Sequence, residues 1–256
     1  MVRRKPGLKL GLAGIICVFG LSGCSDMQVN TRHIDKIDQA ERVLRTRIEF
    51  VDRAYREIPY EIVEQEPGKR REYQHVIFDD PLELSFYQAS GRLADKASRF
   101  YRIRLKRAYS WLESGTQKDF AINLSAIERE LGGHASTYIP HPEDIDFRVE
   151  PSNTRLARLI LSAGSPFSYP FGEHEAEFID RKTRSRFALL YVDRPCHISG
   201  AIKVNDGLFR HELKIEKAGL HWMQIQPVEN RSAFVSLANP EGPVSVYVRY
   251  FQLEHK

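Results

Sequence analysis

Two runs of strand-forming residues, Ile198–Val204 and Leu208–Ile215, flank Asn205-Asp206-Gly207. This pairing constrains the fold more than any other stretch of the chain. Asn, Asp and Gly tolerate the positive φ angles that tight hairpin turns demand, so the three residues predict a β-hairpin. In the simplest register Ile198, Ile202 and Val204 share a face with Phe209, Leu213 and Ile215. Seven short segments with the same character fall near 173–179, 186–193, 196–204, 208–216, 221–228, 232–237 and 244–253, separated by turn residues. The last contains Val244-Ser245-Val246-Tyr247-Val248-Arg249-Tyr250-Phe251, the strongest strand pattern in the chain. Together they predict an antiparallel β-sandwich or jelly-roll-like domain over residues 140–256.

Residues 31–139 read differently, as a helical segment, which makes the expected fold class α+β. Apolar side chains at Ile34, Ile37, Leu44, Ile48, Val51, Tyr55 and Ile58, with Glu41 in the missing place, follow alternating steps of three and four. That is the heptad seam of a long helix, packed on its own domain or in a coiled coil with a second chain, and ended by Pro59. A second helix is expected from Asp80 to Leu112, opened by Asp80, Pro81 and Glu83 as cap, first-turn proline and capping-box partner. Leu93, Ala97, Phe100, Leu105, Ala108 and Leu112 would share one face of it. Arg92, Lys96, Arg99, Arg102 and Lys106 would form a basic face suited to lipid phosphates or an acidic partner. Tyr101, Ile103 and Leu105 also alternate with Arg102, Arg104 and Lys106, a strand-like pattern within the same run. A third helix is expected after a cap at Asp119, with Phe120, Leu124, Ile127 and Leu131 aligned and Gly132-Gly133 as its stop.

The amino terminus carries Arg3, Arg4, Lys5 and Lys9 ahead of an uncharged, largely apolar run from Leu10 to Leu21. That run is about a dozen residues, well short of the roughly 20 a membrane-spanning helix requires, so it reads as a secretory leader. Leu21-Ser22-Gly23-Cys24 closes it and resembles the lipobox of bacterial lipoproteins. The resemblance covers residues 1–24 and implies removal of a signal peptide, residues 1–23, and lipid attachment at Cys24. Residues 24–30 would then form a lipidated tether. Ser25 directly after the cysteine implies sorting to the outer membrane, facing the periplasm. Several acyl chains make a stable anchor where one does not.

Four of the 38 Lys and Arg lie in residues 1–23, which leaves 34 cations against 34 Asp and Glu in the remainder. The overall basicity therefore belongs to the leader, and nucleic acid is not an expected partner. Of the three cysteines, Cys17 would leave with the leader and Cys24 would carry lipid. Cys196 is left without a disulfide partner, even in an oxidising compartment.

Motifs that carry chemistry are few. Glu173-His174-Glu175 lacks the second histidine, one helical turn away, that a zinc helix needs. Cys196-His197 pairs a thiol with an imidazole, but adjacent strand residues point to opposite faces. His211 falls on the apolar face of the hairpin and reads as a core histidine. Ser165 has Phe167 where a nucleophile elbow needs glycine. No catalytic residue, metal site or cofactor is expected. These features predict a membrane-anchored envelope lipoprotein with a structural, assembly or binding role. The partners are the membrane, through its lipid, and an envelope protein or polysaccharide. The alternatives are a glycan-binding jelly roll with Trp222, Tyr247 and Tyr250 as stacking platforms and, third, an envelope hydrolase.

Overall fold

A computed structural model describes residues 42–51, 60–63, 76–79, 82–91, 93, 99–105, 119–164, 174–204, 207–228 and 232–249. The leader, Cys24, the tether and the first part of the heptad run lie outside the described residues. The chain begins with β1 (Val43–Val51), β2 (Tyr60–Val63), β3 (Val76–Asp79), β4 (Leu82–Ser90), β5 (Arg99–Leu105) and β6 (Asp119–Asn123). The helix α1 (Leu124–His134) follows, then β7 (Ser136–Thr137), β8 (Ile145–Glu150), β9 (Arg155–Gly164) and β10 (His174–Asp180). The carboxy-terminal strands are β11 (Arg186–Val192), β12 (Cys196–Val204), β13 (Gly207–Ile215), β14 (Gly219–Pro227), β15 (Ala233–Leu237) and β16 (Val244–Arg249).

Fourteen strands form one mixed sheet, whose main path runs β6-β1-β16-β10-β9-β11-β14-β15-β13-β12-β8, while β2 and β3 pair separately. Most pairings are antiparallel, but β1–β16 and β13–β15 are parallel. Strands from both sides of residue 140 belong to this sheet. One face carries a core of Ile48, Leu84, Phe86, Leu161, Phe178, Leu189 and Val246, covered by α1. Leu124, Ile127 and Leu131 recur at helical spacing and supply the buried stripe of α1. Its N-cap is Asn123, whose side chain accepts from the Ala126 amide at 3.0 Å. Gly132 lets the helix approach β11, since a Cβ there would stand 2.9 Å from the Tyr191 ring.

A second core joins Phe147 and Val149 of β8 to Leu156 of β9, Leu190 of β11 and Leu213 of β13. Along the sheet path β8 and β9 are six strands apart, roughly 29 Å in a flat sheet. Yet Tyr138, one residue past β7 and its pairing with β9, has its ring centroid 4.6 Å from that of Phe147. The sheet therefore coils over this core. Gly200 permits the tightest approach. It has φ +94°, and a Cβ on it would fall 2.3 Å from the Asp146 carbonyl oxygen, so only glycine fits beneath this bulge in the β8–β12 ladder. With no side chain between them, Phe147 and His211 meet edge to face at 5.2 Å.

The expected helical segment is largely overturned. Residues 43–51 of the heptad run form a strand, and four of the nine are β-branched: Val43, Thr46, Ile48 and Val51. Leu44 and Ile48, four apart, would share a face in a helix or a strand. Val51, three further on, separates the two, and it lies across the sheet from Ile48 in a cluster with Ile179 and Tyr247. The second expected helix is also absent where described, because β4 and β5 form an antiparallel pair with Leu84 opposite Ile103 and Phe86 opposite Tyr101. The third helix exists but starts at Leu124, and Asp119 begins β6 instead of capping it. The β-domain is β-rich as expected. It is part of an open mixed sheet, not an antiparallel sandwich or jelly roll. The Asn205-Asp206-Gly207 hairpin has the expected register, with Ile198 opposite Leu213 and Ile202 opposite Phe209.

Candidate functional site

Along β1, Leu44 and Ile48 face the helix-covered core, which turns Arg45, Arg47 and Glu49 to the opposite face. The ladder sets Ala121 of β6 opposite Arg45, and its small side chain leaves a floor beside the arginines. Pro243 and the turn residue Arg181 close the far side. The result is a cleft of about 430 Å³, lined chiefly by Arg45, Arg47, Phe120, Ala121, Arg181 and Pro243. The Thr46 hydroxyl donates to the Val244 carbonyl at 2.8 Å and holds β1 against β16 beneath it.

The three guanidinium groups differ in their commitments. Arg47 bonds the buried Glu49 carboxylate at 2.7 Å, and the Ser245 hydroxyl donates to the same oxygen at 2.7 Å. Burial alone would push the Glu49 carboxyl up, but hydrogen bonds from Ser245, Arg47 and Tyr247 outweigh it and hold it below the usual carboxylate range. Arg181 stands 3.9 Å from that carboxylate, beyond hydrogen-bonding distance, and is 41% exposed. Arg45 is exposed and makes no ion pair or hydrogen bond with the described residues. Two charged forks are thus presented to the cleft without a hydrogen-bonded carboxylate.

Asp180 places one wall. Its fully buried carboxylate accepts from the amides of Lys182 (2.7 Å) and Thr183 (3.2 Å) on one oxygen, and of Glu241 (2.5 Å) and Gly242 (3.0 Å) on the other. Desolvation opposes its charge, but these four amides prevail and keep it ionised below its ordinary range. The Arg181 amide also donates to the Pro243 carbonyl at 2.9 Å. The β10–β11 turn and the loop before β16 are therefore one unit, with Arg181 and Pro243 at its rim.

The polar array continues away from the cleft on the same face. Glu177 accepts from Arg186 and, at 2.7 Å, from Arg249. Arg184 donates to the Tyr247 hydroxyl and lies 5.3 Å over its ring. These arginines are hydrogen-bonded within the protein, whereas Arg181 has only its 3.9 Å ion pair with Glu49.

The residues singled out in the sequence are dispersed. Cys24, Arg92, Lys96, Lys106, Ser165, Glu173 and Tyr250 lie outside the described residues. Arg99 is exposed at the start of β5 and Arg102 follows within that strand, so a helical basic face does not form there. His174 is half-buried and pushed down by desolvation, while Glu175 points outward, 3.6 Å from Arg249. Cys196 is buried in the second core, and its thiol is pushed up to about 11 by burial, with the Asp193 charge adding to it. His197 turns the other way and bonds Glu212 at 2.7 Å. Trp222 packs edgewise on Phe178 and Phe187, whereas Tyr247 is buried on the opposite face, so the two form no shared platform. Among the described residues no His, Cys, Asp and Glu cluster could hold a metal ion, and no helix is long and apolar enough to cross a membrane.

The cleft arginines went unmarked in the sequence because a heptad reading scatters Arg45 and Arg47 around a helix. The signal was the alternation Leu44-Arg45-Thr46-Arg47-Ile48, which places both arginines on one side of a strand. No protein-family model, curated protein or solved structure matches the chain.

Proposed function

We propose that this chain is a lipoprotein of the bacterial envelope, with residues 1–23 removed and Cys24 lipidated. It faces the periplasm from the outer membrane. The sheet serves as a binding module in a structural or assembly role, without catalysis, and its partner is an envelope protein or polysaccharide bearing acidic groups. One observation carries the binding role: Arg45 and Arg181 open into a cleft with no hydrogen-bonded carboxylate of their own. Guanidinium forks form strong, charge-assisted and often bidentate hydrogen bonds with anions, so two that lack a hydrogen-bonded carboxylate at one cleft favour an incoming anion.

The anchor is tested by metabolic labelling with a fatty-acid analogue. Label is expected on the wild type and absent from Cys24→Ser, and equal labelling of both would refute the anchor. The binding role is tested with a photoreactive phenylalanine analogue at Phe120, illuminated in native membranes. An envelope adduct is expected that disappears when Arg45 and Arg181 are both changed to Gln. An adduct indifferent to those changes, or none at all, would refute the cleft as the binding site.

A further inference from the structure

We infer that the group taken by this cleft is a phosphomonoester dianion, an inference that rests on the binding role proposed above. Arg45, Arg47 and Arg181 bring three positive charges and Glu49, which ion-pairs Arg47 at 2.7 Å and Arg181 at 3.9 Å, brings one negative charge, so the cleft keeps a net charge of about +2. Two guanidinium groups match a ligand of charge close to −2. A phosphate monoester carries about −1.5 to −2 at pH 7 and offers three strong acceptor oxygens, whereas a single carboxylate would leave one cation unmatched. The planar fork of arginine suits bidentate contact with phosphate oxygens.

The shape of the cleft says more about the rest of the molecule. At about 430 Å³ it lies in the range that holds small organic ligands, so it has room for more than the phosphate. Ala121 and Pro243 give it an apolar side against which the esterified group can lie. Arg45 and Arg181 sit at the solvent side, which suits a terminal phosphate on a larger body. The phosphate could belong to a soluble sugar ester or to a lipid headgroup.

The test uses the full mature lipoprotein in neutral detergent. It is titrated with glucose 6-phosphate, with dihexanoyl phosphatidic acid as the lipid source, and with glucuronate as a monoanionic control. At least one phosphate source is expected to bind saturably at pH 7.5, about tenfold or more tightly than glucuronate. Binding should weaken several-fold at pH 5, where the phosphate dianion takes up one proton and becomes a monoanion while arginine stays charged. Whichever source binds more tightly identifies the origin of the group. Arg45→Gln and Arg181→Gln are each expected to lower affinity about tenfold, with thermal unfolding nearly unchanged because both residues are exposed. Equal binding of glucuronate, wild-type affinity in the double variant, or binding of neither phosphate source would overturn the inference. If neither phosphate source binds while the Phe120 adduct still depends on the arginines, only the phosphomonoester assignment falls. Loss of that dependence removes the binding role with it.

Discussion

Replacing Asp180 by Ala is expected to cost about 4 kcal/mol of stability and to lower the unfolding midpoint by roughly 10 °C. The carboxylate is fully buried and satisfies four backbone amides at once, from Lys182, Thr183, Glu241 and Gly242. Removing it leaves those donors without partners, at about 1–3 kcal/mol for each that water cannot reach. The turn residues 181–184 are exposed, so water recovers part of that loss and the total stays below the simple sum. Asp180→Asn is the informative companion. Its amide nitrogen can only donate, so one pair of amides would face a donor instead of an acceptor, and about half the loss is expected. Thermal unfolding of the three proteins checks the order. Because Asp180 ties Arg181 to Pro243, both variants should also weaken binding at the cleft more than their exposed neighbour Lys182→Ala does. Wild-type stability in Asp180→Ala would show that the turn and the loop hold together without it.

Acid should weaken the second core well before it protonates the buried carboxylates, and His211 is the reason. Burial among Phe147 and the strand residues around it, helped by the Arg158 charge, pushes this imidazole down to about 4. The Phe209 backbone and Asp144 act in the opposite sense and do not cancel that. In the unfolded chain the group titrates near its ordinary 6.5. Between pH 6.5 and 4 the unfolded state therefore binds more protons than the folded one, so stability rises with pH across that window. The contribution is complete above about pH 6.5 and is lost as pH falls toward 4, by about 3 kcal/mol at most. His174, also pushed down by burial, acts in the same direction. Glu49 and Asp180 are held low and lose their stabilisation only at more acidic pH. His211→Phe keeps an aromatic ring against Phe147 and removes the titration. Its denaturant-derived stability is expected to fall less than that of the wild type between pH 6.5 and 4.5. Parallel profiles would assign the acid sensitivity elsewhere.

Local pattern determined part of this protein without any tertiary information. The hairpin from Ile198 to Ile215 was legible with its register, because alternation and Asn-Asp-Gly specify the same pairing. The opposite directions of Cys196 and His197 followed from strand geometry alone. The stripe Leu124, Ile127, Leu131 marked a helix correctly, since no strand places residues three and then four apart on one face. Only the tertiary structure decided the state of residues 43–51, 82–90 and 99–105. Leu44 and Ile48 are four residues apart, a spacing that both periods satisfy, and the choice fell to the neighbours available. Val246 and Phe178 offer β1 a sheet to join, with β16 in parallel register, a pairing between segments nearly 200 residues apart that no local signal encodes. The cleft depends on the same choice. Arg45 and Arg47 share a side because β1 is a strand, and Arg181 reaches them because Asp180 binds a loop some 60 residues further along the chain. Short-range spacing specifies which residues can lie together, while long-range pairing selects which of them do.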